Sequence, residues 1–242
     1  MGLFDNAVKD IREYMGEKSD KGKVTEIKHS GNSGWPPGGG RNVVLSEDVG
    51  VELGSPQEES VSFVIWTGSK NEVRDGNISL IGPDLQASKG KSLPFGKVVI
   101  IEGRGFNEEN TYARYRAIEA IRYDLDLKGY MLRAVSQYQK EWSRVSKEAL
   151  DSGFSFNVLG GALIDKFKEQ DYIDGAEIIF VTSSREDVRE IRGISKGVAR
   201  IIGAMNKMVE EMSFDCSTCE YADVCSEVLD LRKIRNVVQR DR

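Results

Sequence analysis

Cys216, Cys219 and Cys225 are the only cysteines among 242 residues, and they share one stretch, Asp215-Cys216-Ser217-Thr218-Cys219-Glu220-Tyr221-Ala222-Asp223-Val224-Cys225. A C-x2-C pair sets two thiolates on one turn, where both reach a single metal or cluster, and Cys225 adds a third donor from the next element. Thiolate sulfur suits iron-sulfur clusters and zinc alike. A closed zinc site normally takes four protein ligands, and the single histidine, His29, is far away in sequence. The spacing therefore favours a [4Fe-4S] cluster, with zinc and metal-free thiols as the alternatives. The fourth position is then open, or filled by Asp215, Glu220, Asp223 or a partner's residue. An open iron would bind substrate or a bridging thiolate, whereas a fully wrapped one would serve electron transfer.

Positive charge concentrates in the middle of the chain at Arg104, Arg114, Arg116, Arg122, Arg133 and Arg144. The residues by themselves read as solvated arginines alternating with Glu and Asp, and a Trp142 in the core. No Ser/His/Asp or Cys/His constellation can be assembled. The segment from Gly31 to Gly40 contains Trp35-Pro36-Pro37-Gly38-Gly39-Gly40 but lacks the Lys-Ser/Thr of a nucleotide loop, so a plain loop is expected, with Trp35 as a gate or an anchor.

These residues need elements to hold them. Leu3 to Met15 shows helical spacing, and from Val43 to Ile101 short β-branched runs (Val43–Leu45, Val49–Leu53, Val61–Thr67, Asn77–Ile81, Lys97–Ile101) alternate with turn residues. Helices are predicted over Glu108–Asp124 and Phe156–Asp171, and a buried strand over Ala176–Thr182. The stretch from Lys128 to Trp142 has no clear period. Ser184, followed by Asp187, opens a long helix to about Met212 on which Ile191, Ile194, Val198, Ile201, Met205, Met208 and Met212 repeat at alternating spacings of three and four. Tyr221, Val224, Val228 and Leu231 continue a similar pattern. The expectation is a helical hairpin whose turn carries Cys216 and Cys219, its seam closing on the chain itself or on a second copy.

The bulk composition narrows the partners. A formal net charge of -5 argues against a nucleic-acid surface, and no apolar run approaches the ~20 residues of a membrane helix. The N-terminus lacks the apolar core of a secretory signal, so a cytoplasmic protein is expected, in which clustered cysteines serve as ligands rather than a disulfide.

Several segments, in order, resemble one family. Val51-Glu52-Leu53-Gly54-Ser55-Pro56 and Val73-Arg74-Asp75-Gly76-Asn77-Ile78-Ser79-Leu80-Ile81-Gly82-Pro83-Asp84-Leu85 are similar to parts of the β subunit of archaeal acetyl-CoA decarbonylase/synthase. Trp142-Ser143-Arg144-Val145-Ser146-Lys147-Glu148-Ala149 resembles the Trp-x-Arg-Ile/Val-Ser-Lys segment shared with the middle part of bacterial acetyl-CoA synthase, and Glu177 to Thr182 resembles a strand of the same part. The cysteine segment falls at the corresponding place. The resemblance, over roughly Val49 to Cys225, implies an α+β middle domain followed by a cluster segment. It matches Cys216, Cys219 and Cys225 to the first three ligands of the family's cubane, with Cys219 where a cysteine bridges to nickel. It also associates Trp142 and Arg144 with coenzyme A and with docking of a corrinoid methyl carrier.

The departures are a five-residue spacer between the second and third cysteines, no fourth cysteine, and no Cys-Gly-Cys for a second nickel before Arg242. Nickel and synthase chemistry by this chain alone are accordingly not expected.

The expected fold is α+β: an N-terminal helix and Gly/Pro-rich loop (1–40), a mixed sheet with packed helices (41–183), and a C-terminal helical hairpin carrying the cysteines (184–242). The expected function is an iron-sulfur accessory or electron-transfer subunit in anaerobic corrinoid-linked one-carbon metabolism. Its partners would be a corrinoid protein, a methyltransferase or a carbon monoxide dehydrogenase subunit. The alternatives are an acetyl-CoA synthase-like enzyme using an open cluster iron, and a zinc-stapled interaction module. A homo-oligomer through the C-terminal helices is a further expectation.

Overall fold

The structure, a computed structural model, describes residues 2–31, 34–40, 42–135, 139–210 and 218–240. Helix α1 (Asp5–Asp20) turns Ala7, Val8, Ile11, Tyr14 and Met15 inward. It runs past Met15 because Lys18 finds Asp187 at 2.5 Å and Glu190 at 2.7 Å. Two sheets follow. The larger has the order β1 (Val24–Lys28), β4 (Asn77–Ile81), β9 (Ile173–Val181), β6 (Phe95–Gly103), β3 (Ser60–Thr67), with β4–β9 and β6–β3 parallel and the other pairs antiparallel. The smaller has the order β5 (Ser92–Leu93), β2 (Val49–Leu53), β8 (Glu141–Ser146), β7 (Tyr130–Val135).

Alternation along β9 separates the two faces of the large sheet. Glu177 points to the α1 side, where Arg12 holds it at 2.7 Å and Arg74 at 2.8 Å. Three residues on, Phe180 points the other way, against Phe156 of α4 (Phe156–Lys168). Helices α1 and α5 (Arg185–Glu210) thus cover one face, and α4 with α2 (Thr111–Ile121) the other. Strand β8 joins on the α4 side through Glu141, which takes a hydrogen bond from Lys97 at 2.6 Å, both side chains essentially excluded from solvent. No helix among the described residues is long and apolar enough to cross a membrane.

Strands β2 and β4 coincide with the expected runs, and the fold is α+β with a mixed sheet as anticipated. Val43–Leu45 is no strand. Val44 is buried while its neighbours are exposed, and its backbone is spent on side chains: the N–H on Met131 Sδ at 3.4 Å, the carbonyl on Arg144 at 3.5 Å. The unassigned stretch holds β7 and the start of β8, whose period is broken by a bulge at Arg133 and by the buried Glu141. The hairpin's second arm is two helices, α6 (Ala222–Glu227) and α7 (Leu229–Arg240), interrupted at Val228. Ile191, Val198, Met205 and Met208 of the seam are buried within the chain itself, where α5 meets α1, α6 and α7.

Ser184 Oγ accepts the Asp187 N–H at 3.1 Å, so half of the capping box forms; the Asp187 carboxylate turns instead to Lys18 and Ser183.

Candidate functional site

One face of α5 is built to receive the cysteine segment. Arg200, Gly203, Ala204 and Lys207 fall three, four and seven residues from the first, so they line one stripe. Arg200 clasps both Asp223 oxygens at 2.5 and 2.7 Å, and Lys207 holds Glu220 at 2.7 Å. Between these clips Tyr221 lies against Gly203, where a Cβ would come within 2.6 Å of its hydroxyl. Exposed pairs of this kind each contribute little. Two in register around an aromatic contact nevertheless fix which way residues 219–225 face.

Cys219 lies in the turn before α6, half-buried, and Cys225 lies within α6, buried at 7% exposure. Both open into one cavity of about 140 Å³, whose walls also include Ala204, Met208, Tyr221, Lys207 and Arg235. The Tyr221 N–H donates to Cys219 Sγ at 3.5 Å. Two soft donors, an N–H aimed at one sulfur and two cationic side chains line the cavity, and sulfur donors of this kind suit thiophilic metal groups. Cys216 and Asp215 lie outside the described residues. Among those described, no three His, Cys, Asp or Glu are grouped to hold a metal, and Glu220 and Asp223, expected as optional ligands, are engaged by Lys207 and Arg200.

Trp142 and Arg144 alternate with the inward Glu141, Ser143 and Val145 on β8, and so share its outer face. The Arg144 guanidinium lies 5.4 Å from the Trp142 ring and that of Arg133 4.9 Å. Arg133 reaches that face because it is the extra residue of the β7 bulge: Leu132 pairs Ser143 and Ala134 pairs Trp142. Glu52 anchors Arg144 at 2.7 Å, and an open groove of about 440 Å³ lined by Ser46, Lys91 and Ser92 adjoins it. Arg122, by contrast, is buried, donating to Ser62 and Glu119. The cysteine cavity is on the α5 side and the Trp142 face on the α4 side, so the structure does not bring the two together.

The glycine-rich loop grips a carboxylate of the chain itself, the exposed Asp126. Gly38, Gly39 and Gly40 donate their N–H groups to Asp126 at 3.1, 3.0 and 3.2 Å, joined by Asn42 Nδ2 at 2.9 Å. Positive φ at Gly39 and Gly40 aims these amides. Trp35 is an anchor, donating to the Lys128 carbonyl at 2.9 Å and meeting Phe154 edge-on.

Sequence reading passed over Arg133 as a partner of Trp142, and Lys207 and Arg235 as neighbours of the cysteines. The first depends on a bulge that no period reveals. Lys207 had a signal in the 200/203/207 spacing on α5, whereas Arg235, on α7, had none.

The α+β body thus carries an arginine-flanked tryptophan on β8, and the helical hairpin that follows it carries two thiols in one cavity. The profile of the CO dehydrogenase/acetyl-CoA synthase complex beta subunit family matches residues 39–188, and the chain belongs to that family. It is 33% identical over 149 residues to the carbon monoxide dehydrogenase/acetyl-CoA synthase subunit alpha of Moorella thermoacetica, covering 61% of this chain and 20% of that protein. With the acetyl-CoA decarbonylase/synthase complex subunit beta of Methanothermobacter thermautotrophicus it shares 33% identity over 129 residues, 52% of this chain and 26% of the relative. The corresponding subunit of Methanopyrus kandleri is 28% identical over 186 residues, 73% of this chain and 38% of the relative. The chain thus spans well under half the length of these relatives. The matched residues 39–188 contain Trp142 and Arg144 but none of the cysteines.

Proposed function

We propose that the chain is an iron-sulfur accessory subunit of a carbon monoxide dehydrogenase/acetyl-CoA synthase type of complex, acting in corrinoid-linked one-carbon metabolism. Cys216, Cys219 and Cys225 would ligate a [4Fe-4S] cluster, which when bound supplies one-electron redox capacity. The observation that carries this is the single cavity shared by Cys219 and Cys225, held in place by the Arg200–Asp223 and Lys207–Glu220 pairs. Its partners would be a carbon monoxide dehydrogenase subunit, a methyltransferase or a corrinoid protein. Separate Ala substitutions of the three cysteines test it: each is expected to lose most iron from anaerobically purified protein. Full iron in all three would exclude the assignment.

A second reading concerns the outer face of β8. Trp142 between Arg133 and Arg144 suits a ligand with a planar base and phosphates, and coenzyme A is the one proposed. Calorimetric titration with coenzyme A tests it. Binding that survives Trp142→Ala unchanged would place the ligand elsewhere.

A further inference from the structure

The glycine amides that hold Asp126 belong to a loop fastened at both ends without that carboxylate. On one side the Trp35 indole N–H donates to the Lys128 carbonyl at 2.9 Å and the Lys128 N–H to the Pro36 carbonyl at 3.0 Å, while the Trp35 ring meets Phe154. On the other, Val44 is buried and bound through Met131 and Arg144. The N–H groups of Gly38, Gly39 and Gly40 and the Asn42 amide therefore stay converged on one point whether or not Asp126 occupies it. Asp126 is exposed, so water is its alternative partner and its carboxylate leaves the grip at little cost.

Successive amides aimed at one point by glycines of positive φ make an anion-binding concavity. Here it opens onto space for a ligand: Gly38 and Asn42 also line a cavity of about 680 Å³, a volume suited to a small molecule. Lys128 and Lys147 stand in the same wall with two acids, Asp48 and Glu148. Glu148 pairs with Lys128 at 2.8 Å, whereas Lys147 donates to the Glu47 carbonyl at 2.6 Å, which leaves its charge unanswered by a carboxylate among the described residues. We propose that Gly38, Gly39, Gly40 and Asn42 form an oxyanion site that Asp126 occupies in the resting protein, and that a small molecule bearing a phosphate or carboxylate group displaces Asp126 while its body fills the adjoining cavity. Asp126 sets the affinity, because a ligand binds only the fraction of molecules in which the donors are vacated. The proposal rests on neither the cluster nor the coenzyme A reading.

The test is calorimetric titration of the full chain with inorganic pyrophosphate and, separately, with malonate, which present phosphate and carboxylate oxygens. Asp126→Ala empties the site and is expected to bind one or both probes about tenfold tighter than wild type. Asp126→Asn keeps the side chain's size without its charge; it should gain in the same direction by less, and it carries the test if the alanine variant misfolds. Adding Asn42→Ala to Asp126→Ala should remove most of the gain. A gain for pyrophosphate alone assigns a phosphate ligand, and for malonate alone a carboxylate. Asp124→Ala, which removes an exposed carboxylate paired with Lys166 outside the grip, should bind as wild type does. Amide NMR spectra of Asp126→Ala should show the Gly38, Gly39 and Gly40 signals moving with the titration. Equal affinities in wild type and both Asp126 variants, an equal gain in Asp124→Ala, or glycine amides that stay still while a probe binds would each overturn the proposal.

Discussion

Gly203 lies directly beneath Tyr221: a methyl group at position 203 would sit 2.6 Å from the tyrosine hydroxyl and 2.8 Å from its ring carbon. Glycine inside a helix ordinarily costs about 1 kcal/mol relative to alanine. Here it gives the cysteine segment its seat. Gly203→Ala is therefore expected to destabilise by about 1 to 2 kcal/mol despite its better propensity, and to speed the reaction of Cys219 with a thiol reagent in metal-free protein. Gly193→Ala and Gly197→Ala, where the added methyl meets nothing within 4 Å, should stabilise by about 0.5 to 1 kcal/mol. Urea unfolding of the three variants checks the contrast, and a stabilising Gly203→Ala would contradict it.

The Lys97–Glu141 pair ties the small sheet to the large one. Burial would raise the Glu141 pKa, but the charges of Lys97 and Arg122 outweigh it and hold the group below the usual carboxylate range. Lys97→Met strands an ionised carboxylate in the interior and is expected to cost about 3 to 5 kcal/mol, whereas Lys97→Met combined with Glu141→Leu should be far milder. Equal losses in the single and double variants, by chemical denaturation, would show that the charge is not what matters.

Lys18 and Asp187 join α1 to α5 and set a pH window. For Asp187, burial is outweighed by hydrogen bonds from Lys18 and Ser183, which lower the pKa below its ordinary value of about 3.8. Its contribution is present above that value and disappears as pH falls through the lower folded value. For Lys18, burial is outweighed by hydrogen bonds to Asp187 and Glu190, which raise the pKa above 10.5. That contribution is complete below 10.5 and is lost as pH rises through the higher folded value. Thermal melts of Lys18→Met should therefore differ most from wild type between these limits and converge with it in acid. A constant difference down to the most acid pH would refute the linkage.

Much of this was legible in the sequence because it rests on periodicity. Strands β2 and β4, the buried β9 and the seam of α5 all follow from apolar spacing. What was not legible depends on exceptions to spacing. The bulge that turns Arg133 onto Trp142 inserts one residue into β7, and the buried Glu141 reads as a surface residue until Lys97 is placed beside it. Val43–Leu45 looks like a strand by composition, yet its backbone is bound by Met131 and Arg144 side chains. The glycine-rich segment at 31–40 reads as a plain loop, and only the fold reveals that its amides grip an anion, Asp126.

On the outer face of β8, Arg133 has its aromatic contact but no anchoring carboxylate among the described residues, while Arg144 is held by Glu52. If coenzyme A binds there, Arg133→Gln should weaken it about tenfold, or about 1.4 kcal/mol, with a shallower salt dependence. Removal of the 3′-phosphate from the ligand should reduce the difference between wild type and variant. Calorimetry at two salt concentrations decides it. Affinity independent of Arg133 would move the phosphate contact to another cation.

An iron-sulfur cluster in the cysteine cavity is what we propose. Its most direct test is the iron, sulfide, nickel and zinc content per chain of protein purified without oxygen, taken with its visible spectrum. About four irons and four sulfides per chain, with no nickel and a broad thiolate-to-iron absorption, is the predicted result. Stoichiometric zinc in a colourless protein would contradict it and make the hairpin a zinc-stapled module.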